Sequence, residues 1–89
     1  MAPVEVFAEP TPNPNSMKFT LDRRVAEKGQ SFNSPGEAEQ SPLARRLFEI
    51  RGVRGIFLLN NFISVSRDPA ADWGDLVPEV EAAIRAHFG

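Results

Sequence analysis

Residues 55–66 read Gly-Ile-Phe-Leu-Leu-Asn-Asn-Phe-Ile-Ser-Val-Ser and predict a β-hairpin. Two runs of β-forming residues flank Asn60-Asn61, and asparagine tolerates the positive φ that a two-residue turn needs. Such a turn pairs Leu59 with Phe62, and the cross-strand pairing then continues residue by residue to Ile56 and Val65. One face of the hairpin is then aliphatic and predicts core: Ile56, Leu58, Ile63 and Val65. The other face mixes large apolar and small polar side chains: Phe57, Leu59, Phe62, Ser64 and Ser66.

A helix is predicted on either side of the hairpin. Ser41 can cap the first helix, and Pro42 takes its first position, where the missing backbone donor costs nothing. Its apolar stripe is Leu43, Leu47, Phe48 and Ile50, and Gly52 ends it. The last helix has the stripe Trp73, Leu76, Val77, Val80, Ile84 and Phe88. Because Pro78 would remove a hydrogen bond inside a longer helix, we expect the regular helix to begin at Asp75.

The N-terminal half predicts two strands joined by a stiff polar loop. Residues 4–8 are short and β-branched at two positions, and residues 17–21 alternate strictly. Between them, Pro12 and Pro14 fix φ, while Asn15 and Ser16 favour a local turn. Residues 22–30 are charged and predict an exposed loop, and residues 31–33 a short third strand.

This order of elements predicts an α+β fold. We expect an antiparallel sheet of four to five strands with two helices packed on one face, a two-layer sandwich. The length of 89 residues predicts one domain over residues 1–89.

Composition excludes several classes of function. A net charge of −2 argues against nucleic-acid binding, which usually needs a basic surface. The absence of cysteine removes disulfides, thiol catalysis and thiolate metal sites. Residues 1–4 do not resemble a secretory signal, and the longest apolar run, residues 56–59, is too short to cross a membrane. We therefore expect a cytoplasmic protein without nucleic-acid or membrane partners.

No catalytic constellation can be assembled from these residues. His87 is the single histidine and lies near a helix end, so no serine has a convincing base and we expect no enzyme. Five acidic residues near the last helix could suggest a hard-cation site: Asp68, Asp72, Asp75, Glu79 and Glu81. Their spacing matches no calcium loop, and helix capping accounts for them better. We predict no bound metal or cofactor, and an oxygen-ligand iron carrier on this acidic helix remains the alternative.

Two surfaces are candidates for binding a protein. Four arginines lie within ten residues, and arginine forms directed contacts with carboxylates: Arg45, Arg46, Arg51 and Arg54. An ordinary solvated surface that also compensates the helix dipole is the simpler explanation for them. If the helices cover one side of the sheet, Phe57, Leu59 and Phe62 lie on the other side, here called the open face. Such apolar patches often mark partner surfaces, unless a loop, another strand or a second copy covers them.

Several segments resemble the N-terminal domain of Nfu/NifU-type iron–sulfur scaffold proteins. They are the Thr-Pro-Asn-Pro-Asn-Ser-Met-Lys-Phe motif at 11–19, the helix, Gly-Val and strand at 43–57, the strand at 62–67 and the closing helix from Asp72-Trp73. The resemblance implies a non-enzymatic accessory module that contacts iron–sulfur assembly or client proteins. Family members commonly carry a second domain with a Cys-x-x-Cys pair, and this sequence has no cysteine. We therefore expect a stand-alone domain that does not ligate the cluster. We expect it to be a monomer or weak homodimer.

The resemblance also implies a first site at the matching motif. The residues that carry it are Asn13, Asn15, Ser16 and Lys18. Together with Arg45, Arg46, Arg51, Arg54, Phe57 and Phe62 they form the predicted partner-binding set. For the motif, the competing interpretation is structural: a loop that hydrogen-bonds itself and locks the first two strands.

Overall fold

A five-stranded antiparallel sheet and two helices make up this chain in the computed structural model, which describes residues 4–88. The elements are β1 (Val6–Pro10), β2 (Ser16–Leu21), β3 (Ala26–Phe32), α1 (Pro42–Phe48), β4 (Val53–Asn60), β5 (Phe62–Arg67) and α2 (Trp73–Phe88). The strands lie in the order β1-β2-β5-β4-β3. Residues 1–3, which were considered as a possible signal, fall outside the described part.

Both helices pack on the same side of the sheet. The largest fully buried side chains come from both layers: Phe19, Leu47, Ile63, Ile84, Val65 and Val80. They belong to one continuous apolar cluster, which buries the aliphatic face of the predicted hairpin. The predicted α+β sandwich is therefore confirmed, with five strands.

The hairpin has the predicted register. Leu59 pairs with Phe62, Leu58 with Ile63, and the pairing continues to Ile56 and Val65. Asn60 takes a φ of 52°, which is the positive value that the turn needs. Ile63 and Phe62 are neighbours in the chain, but their side chains lie on opposite faces of the sheet.

The third strand is longer than predicted, and the loop prediction for residues 22–30 was wrong at its C-terminal end. β3 runs from Ala26 to Phe32 and lies at the edge of the sheet beside β4. Most of its side chains are exposed and polar, so the sequence lacks the alternation of apolar and polar residues that would predict a strand. Backbone pairing to β4, with an irregular register between Ala26 and Gln30, holds it. The first strand is also shifted: it covers Val6–Pro10, because β2 offers partners as far as Met17 opposite Pro10.

The first helix begins as predicted. Ser41 caps α1 through its side chain, Pro42 follows, and Gly52 takes a φ of 102° after the helix.

The predicted start of the last helix was wrong. α2 begins at Trp73 and contains Pro78. Asp72 caps it, since Oδ1 accepts the Gly74 N–H at 2.8 Å and the Asp72 carbonyl accepts from Asp75 and Leu76 at 3.0 Å each. Pro78 deprives the Gly74 carbonyl of its helical donor, but Gly74 is exposed and water can replace it.

Candidate protein-interaction surface

The open face of the sheet carries an apolar strip that no helix covers. Strand alternation turns one set of side chains away from both helices. The register aligns Phe7 with Thr20, Thr20 with Phe62, and Phe62 with Leu59, so these four residues form a row across β1, β2, β5 and β4. Phe7 is 61% exposed. The row places the predicted Leu59 and Phe62 on the open face, where both are half-buried, and the half-buried Phe57 lies in the next row.

An aromatic cluster with a cation lies beside this row. The rings of Phe57 and Phe62 are 6.1 Å apart at an interplanar angle of 47°. The ammonium Nζ of Lys18 lies 4.8 Å from the centre of the Phe62 ring, within range of a cation–π interaction. Phe57 lies against Gly29 of β3, where an added Cβ would come within 3.2 Å of the ring. The absence of a side chain at Gly29 thus lets the Phe57 ring come close to β3.

Phe7 was absent from the predicted partner-binding set although it is the large apolar residue most exposed here. The signal was available in the sequence. Val6 and Phe7 are adjacent in a strand, so when Val6 points into the core, Phe7 points to the open face. The alternation of buried and exposed residues that identifies β1 also extends the open face onto this strand.

The loop between β1 and β2, residues 11–15 and here called the Pro-Asn loop, is held in place by its own hydrogen bonds. Thr11 Oγ1 accepts the Asn13 N–H at 3.2 Å, Asn13 Oδ1 accepts the Asn15 N–H at 2.9 Å, and the Asn13 carbonyl accepts the Ser16 N–H at 3.0 Å. Ser16 Oγ lies 3.1 Å from Ser64 Oγ. These contacts fit the structural interpretation of the motif, and they leave Ser16 and Lys18 on the open face.

Two residues outside the predicted set fasten that loop to the rest of the fold. Trp73 Nε1 donates to the Pro14 carbonyl at 3.0 Å. The Arg67 backbone N–H donates to the Asn15 carbonyl at 2.9 Å, and its guanidinium lies 5.4 Å from the centre of the Trp73 ring. The contacts of Trp73 and Arg67 with the loop could not be predicted from the local sequence, because they join residues more than fifty positions apart.

The arginine group is dispersed over α1, the turn that follows it and β4. Arg45 and Arg46 are exposed on α1, in the helical layer. Arg51 is exposed in the turn after α1. Arg54, at an irregular position of β4, contacts Asp68 with Nη2 2.6 Å from Oδ2. The predicted residues therefore fall on two separate surfaces.

The acidic residues are largely engaged in local structure. Asp68 Oδ1 accepts the Ala70 N–H at 2.9 Å, and this bond, followed by the Arg54 guanidinium, lowers the pKa of Asp68. Asp68 and Asp72 line a cleft beside the start of α2 together with Arg51, Asp75 and Glu79. Within residues 4–88, no three His, Asp or Glu side chains come together as a possible metal site.

His87 lies at the end of α2 with its ring 4.9 Å from that of Phe88. Burial, and then the charge of Arg46, lower the pKa of His87. No helix in the described part of the chain is long and apolar enough to cross a bilayer.

Sequence comparison gives a consistent set of relatives. A family model described as scaffold protein Nfu/NifU N terminal matches residues 6–89. A Drosophila willistoni protein, the mitochondrial NFU1 iron-sulfur cluster scaffold homolog, is 43% identical over 85 residues, which are 93% of this chain and 29% of that protein. The corresponding Drosophila persimilis protein is 40% identical over 93% of this chain and 30% of its own length. The chain thus spans under a third of these curated relatives.

Solved structures share the fold. The crystal structure of the Staphylococcus aureus protein SAV1430 has a TM-score of 0.77 and 29% identity, covering 90% of this chain and 98% of that one. The solution structure of SeR13 from Staphylococcus epidermidis has a TM-score of 0.62 and 33% identity, covering 93% and 98%. A Saccharomyces cerevisiae NifU-like protein has a TM-score of 0.83 over 98% of this chain and 82% of that one, and at 21% identity it supports the fold alone.

Proposed function

Because the chain belongs to the family of Nfu/NifU scaffold N-terminal domains, which is associated with iron–sulfur cluster assembly, we propose that it is a non-enzymatic interaction module of that process. In this proposal it is one domain that contacts assembly or client proteins in the cytoplasm. The cluster itself is held by thiolates of another domain or chain, since the sequence contains no cysteine.

The observation that carries the proposal is the uncovered apolar strip of the open face. A sheet normally buries its apolar side chains against another layer, and here the helices cover only one side. Phe7 is 61% exposed, and Phe57 and Phe62 form an aromatic pair farther along the same face. Aromatic residues are enriched at the centres of protein interfaces. The open face is therefore our main binding surface, with Ser16 and Lys18 as its polar members.

The remaining predicted residues have subsidiary roles in this proposal. Asn13 and Asn15 shape the loop at the end of β1 and β2 and so fix the border of the open face. Arg45 and Arg46 form a second, separate contact for an acidic surface. Arg51 in the turn after α1 and Arg54 on β4 are further exposed cations, and Arg54 must exchange Asp68 for a partner carboxylate.

An anaerobic crosslinking pull-down from the source lysate, followed by mass spectrometry, tests the function. The bait is the 89-residue chain, compared with the F57S/F62S double variant, both checked for folding by circular dichroism. The control is R85E, which reverses an exposed charge on α2 in the helical layer, and R45E/R46E tests the second contact separately. We expect iron–sulfur assembly or client proteins with the wild-type chain and R85E, weaker capture with R45E/R46E, and loss of capture with F57S/F62S.

Two outcomes would contradict this proposal. Capture of no iron–sulfur protein by the wild-type chain would remove the functional assignment. Capture that survives F57S/F62S and disappears with R45E/R46E would move the main contact from the open face to α1. Calorimetric titration with Fe(II) addresses the carrier alternative: micromolar binding that D72N and D75N abolish would favour the carrier.

A further inference from the structure

Lys18 places a positive charge on the open face and forms no close ion pair with the described part of the chain. Lys18 is half-buried, and its Nζ is held over the Phe62 ring. Among residues 4–88 it forms no ion pair within 4.0 Å, although Glu9 is its direct cross-strand neighbour. A partner that covers the apolar strip must also cover this ammonium. Burying the ammonium without a carboxylate is costly, and a well-placed carboxylate offsets part of that cost.

The apolar strip has the dimensions of a short helix. The row from Phe7 to Leu59 crosses four neighbouring strands, which are three strand spacings or about 14 Å. At ~1.5 Å per residue, a helix of about ten residues spans this distance. An extended peptide would instead add to a sheet edge, where backbone groups are available, whereas the face of a sheet accepts a packed layer. Lys18 and Phe57 lie in the next row and so border one flank of the strip.

We propose that the open face binds an amphipathic helix of a partner protein whose apolar stripe carries an aspartate or glutamate on one flank. The apolar stripe covers Phe7, Phe62 and Leu59, and the carboxylate pairs with the Lys18 ammonium. The inference rests on the proposed function for its choice of surface. It adds the chemistry and the secondary structure of the segment that is recognised.

A second copy of the chain fits this face less well. The carboxylate that a second copy would bring along the Lys18 row is Glu9, which already lies beside Lys18 in each copy without an ion pair within 4.0 Å. Charge complementarity therefore favours a helix with its own carboxylate.

A displayed library of 16-residue peptides tests the inference. The peptides are patterned as amphipathic helices, with apolar residues varied along one stripe and all residue types allowed on both flanks. They are selected on the immobilised 89-residue chain, on K18E and on the control R85E, which reverses an exposed charge on α2 in the helical layer. We expect acidic residues at one flank position with the wild-type chain and R85E, and basic residues there with K18E. Changing the selected acid to its amide should weaken binding to the wild-type chain about tenfold.

The inference is overturned if no peptide is enriched, if the enriched flank carries no acid, or if K18E selects the same sequences as the wild type. Concentration-dependent dimers in sedimentation that F57S/F62S abolishes would assign the face to a second copy instead. The two proposals fail separately. If the pull-down is lost with F57S/F62S but unchanged with K18E, the function stands and the acidic helix is wrong. If acidic helices are selected and no iron–sulfur protein is captured, the recognition stands and the function is wrong.

Discussion

Replacing Gly52 with alanine tests the junction between α1 and β4. Gly52 has a φ of 102°, and an added Cβ would lie 2.9 Å from the Ala71 Cβ. A positive φ costs an L-residue about 1–2 kcal/mol, and overpacking adds about 1–3 kcal/mol. The lower entropy of alanine in the unfolded chain offsets about 0.4–1 kcal/mol of this. We expect G52A to lower the free energy of unfolding by about 3 kcal/mol.

Thermal and urea unfolding measure this loss. In a domain of this size, a loss of ~3 kcal/mol lowers the Tm by about 12–24 °C. Circular dichroism follows the heat transition, and the fluorescence of the single tryptophan, Trp73, follows the urea transition. The matched control is G36A, because a Cβ at Gly36 would meet no atom closer than 3.8 Å. A G52A transition within about 2 °C of wild type, or an equal loss in G36A, would refute the reasoning.

Three further predictions concern the loop, the first helix and acid stability. W73F removes the donor to the Pro14 carbonyl and should cost about 1 kcal/mol, with faster amide hydrogen exchange in the Pro-Asn loop. S41A removes the side-chain cap of α1 and should also cost about 1 kcal/mol in urea unfolding. Asp68 has a lowered pKa in the folded state, so its stabilising effect is present above the unfolded value of about 3.9 and is lost as the pH falls through the folded pKa. D68N should therefore reduce the fall of Tm in acid.

Each of these has its own contradicting result. Unchanged loop exchange in W73F would mean that the loop is held by its internal bonds alone. An S41A variant as stable as wild type would mean that Pro42 and packing start α1 without the cap. If D68N and wild type lose stability in parallel below about pH 4, other carboxylates govern acid unfolding.

The hairpin and the first helix could be predicted because their signals are local. The register of β4 and β5 follows from a two-residue turn and from the alternation of apolar residues beside it. The start of α1 follows from Ser41 and Pro42, whose effects act within one helical turn. Neither feature depends on a distant part of the chain.

The edge strand and the start of the last helix could not be predicted in the same way. β3 has mostly exposed polar side chains, and its pairing with β4 decides its structure. The proline rule placed the start of α2 too late, because the rule ignores that Asp72 caps the helix and that solvent reaches the Gly74 carbonyl.

The candidate site shows the same division. Strand alternation placed Phe57 and Phe62 on the open face. The same alternation in β1 places Phe7 there, next to the buried Val6. Proximity in sequence was a poor guide for the arginines, since a helix, a turn and a strand orient them differently. The contact of Trp73 with Pro14 crosses 59 positions and has no local signature.

The order of the strands has a consequence for synthesis of the protein. β5, the last strand of this sheet to leave the ribosome, lies in the middle of the sheet between β2 and β4. Until it emerges, β1 with β2 and β3 with β4 are two half-sheets whose apolar sides lack their central partner. Joining them closes loops as long as that from Ser16 to Ser66, which makes this a slow step in folding. A nascent chain interrupted before residue 62 therefore exposes the apolar sides of two aggregation-prone half-sheets. The complete domain forms in one late event that depends on β5.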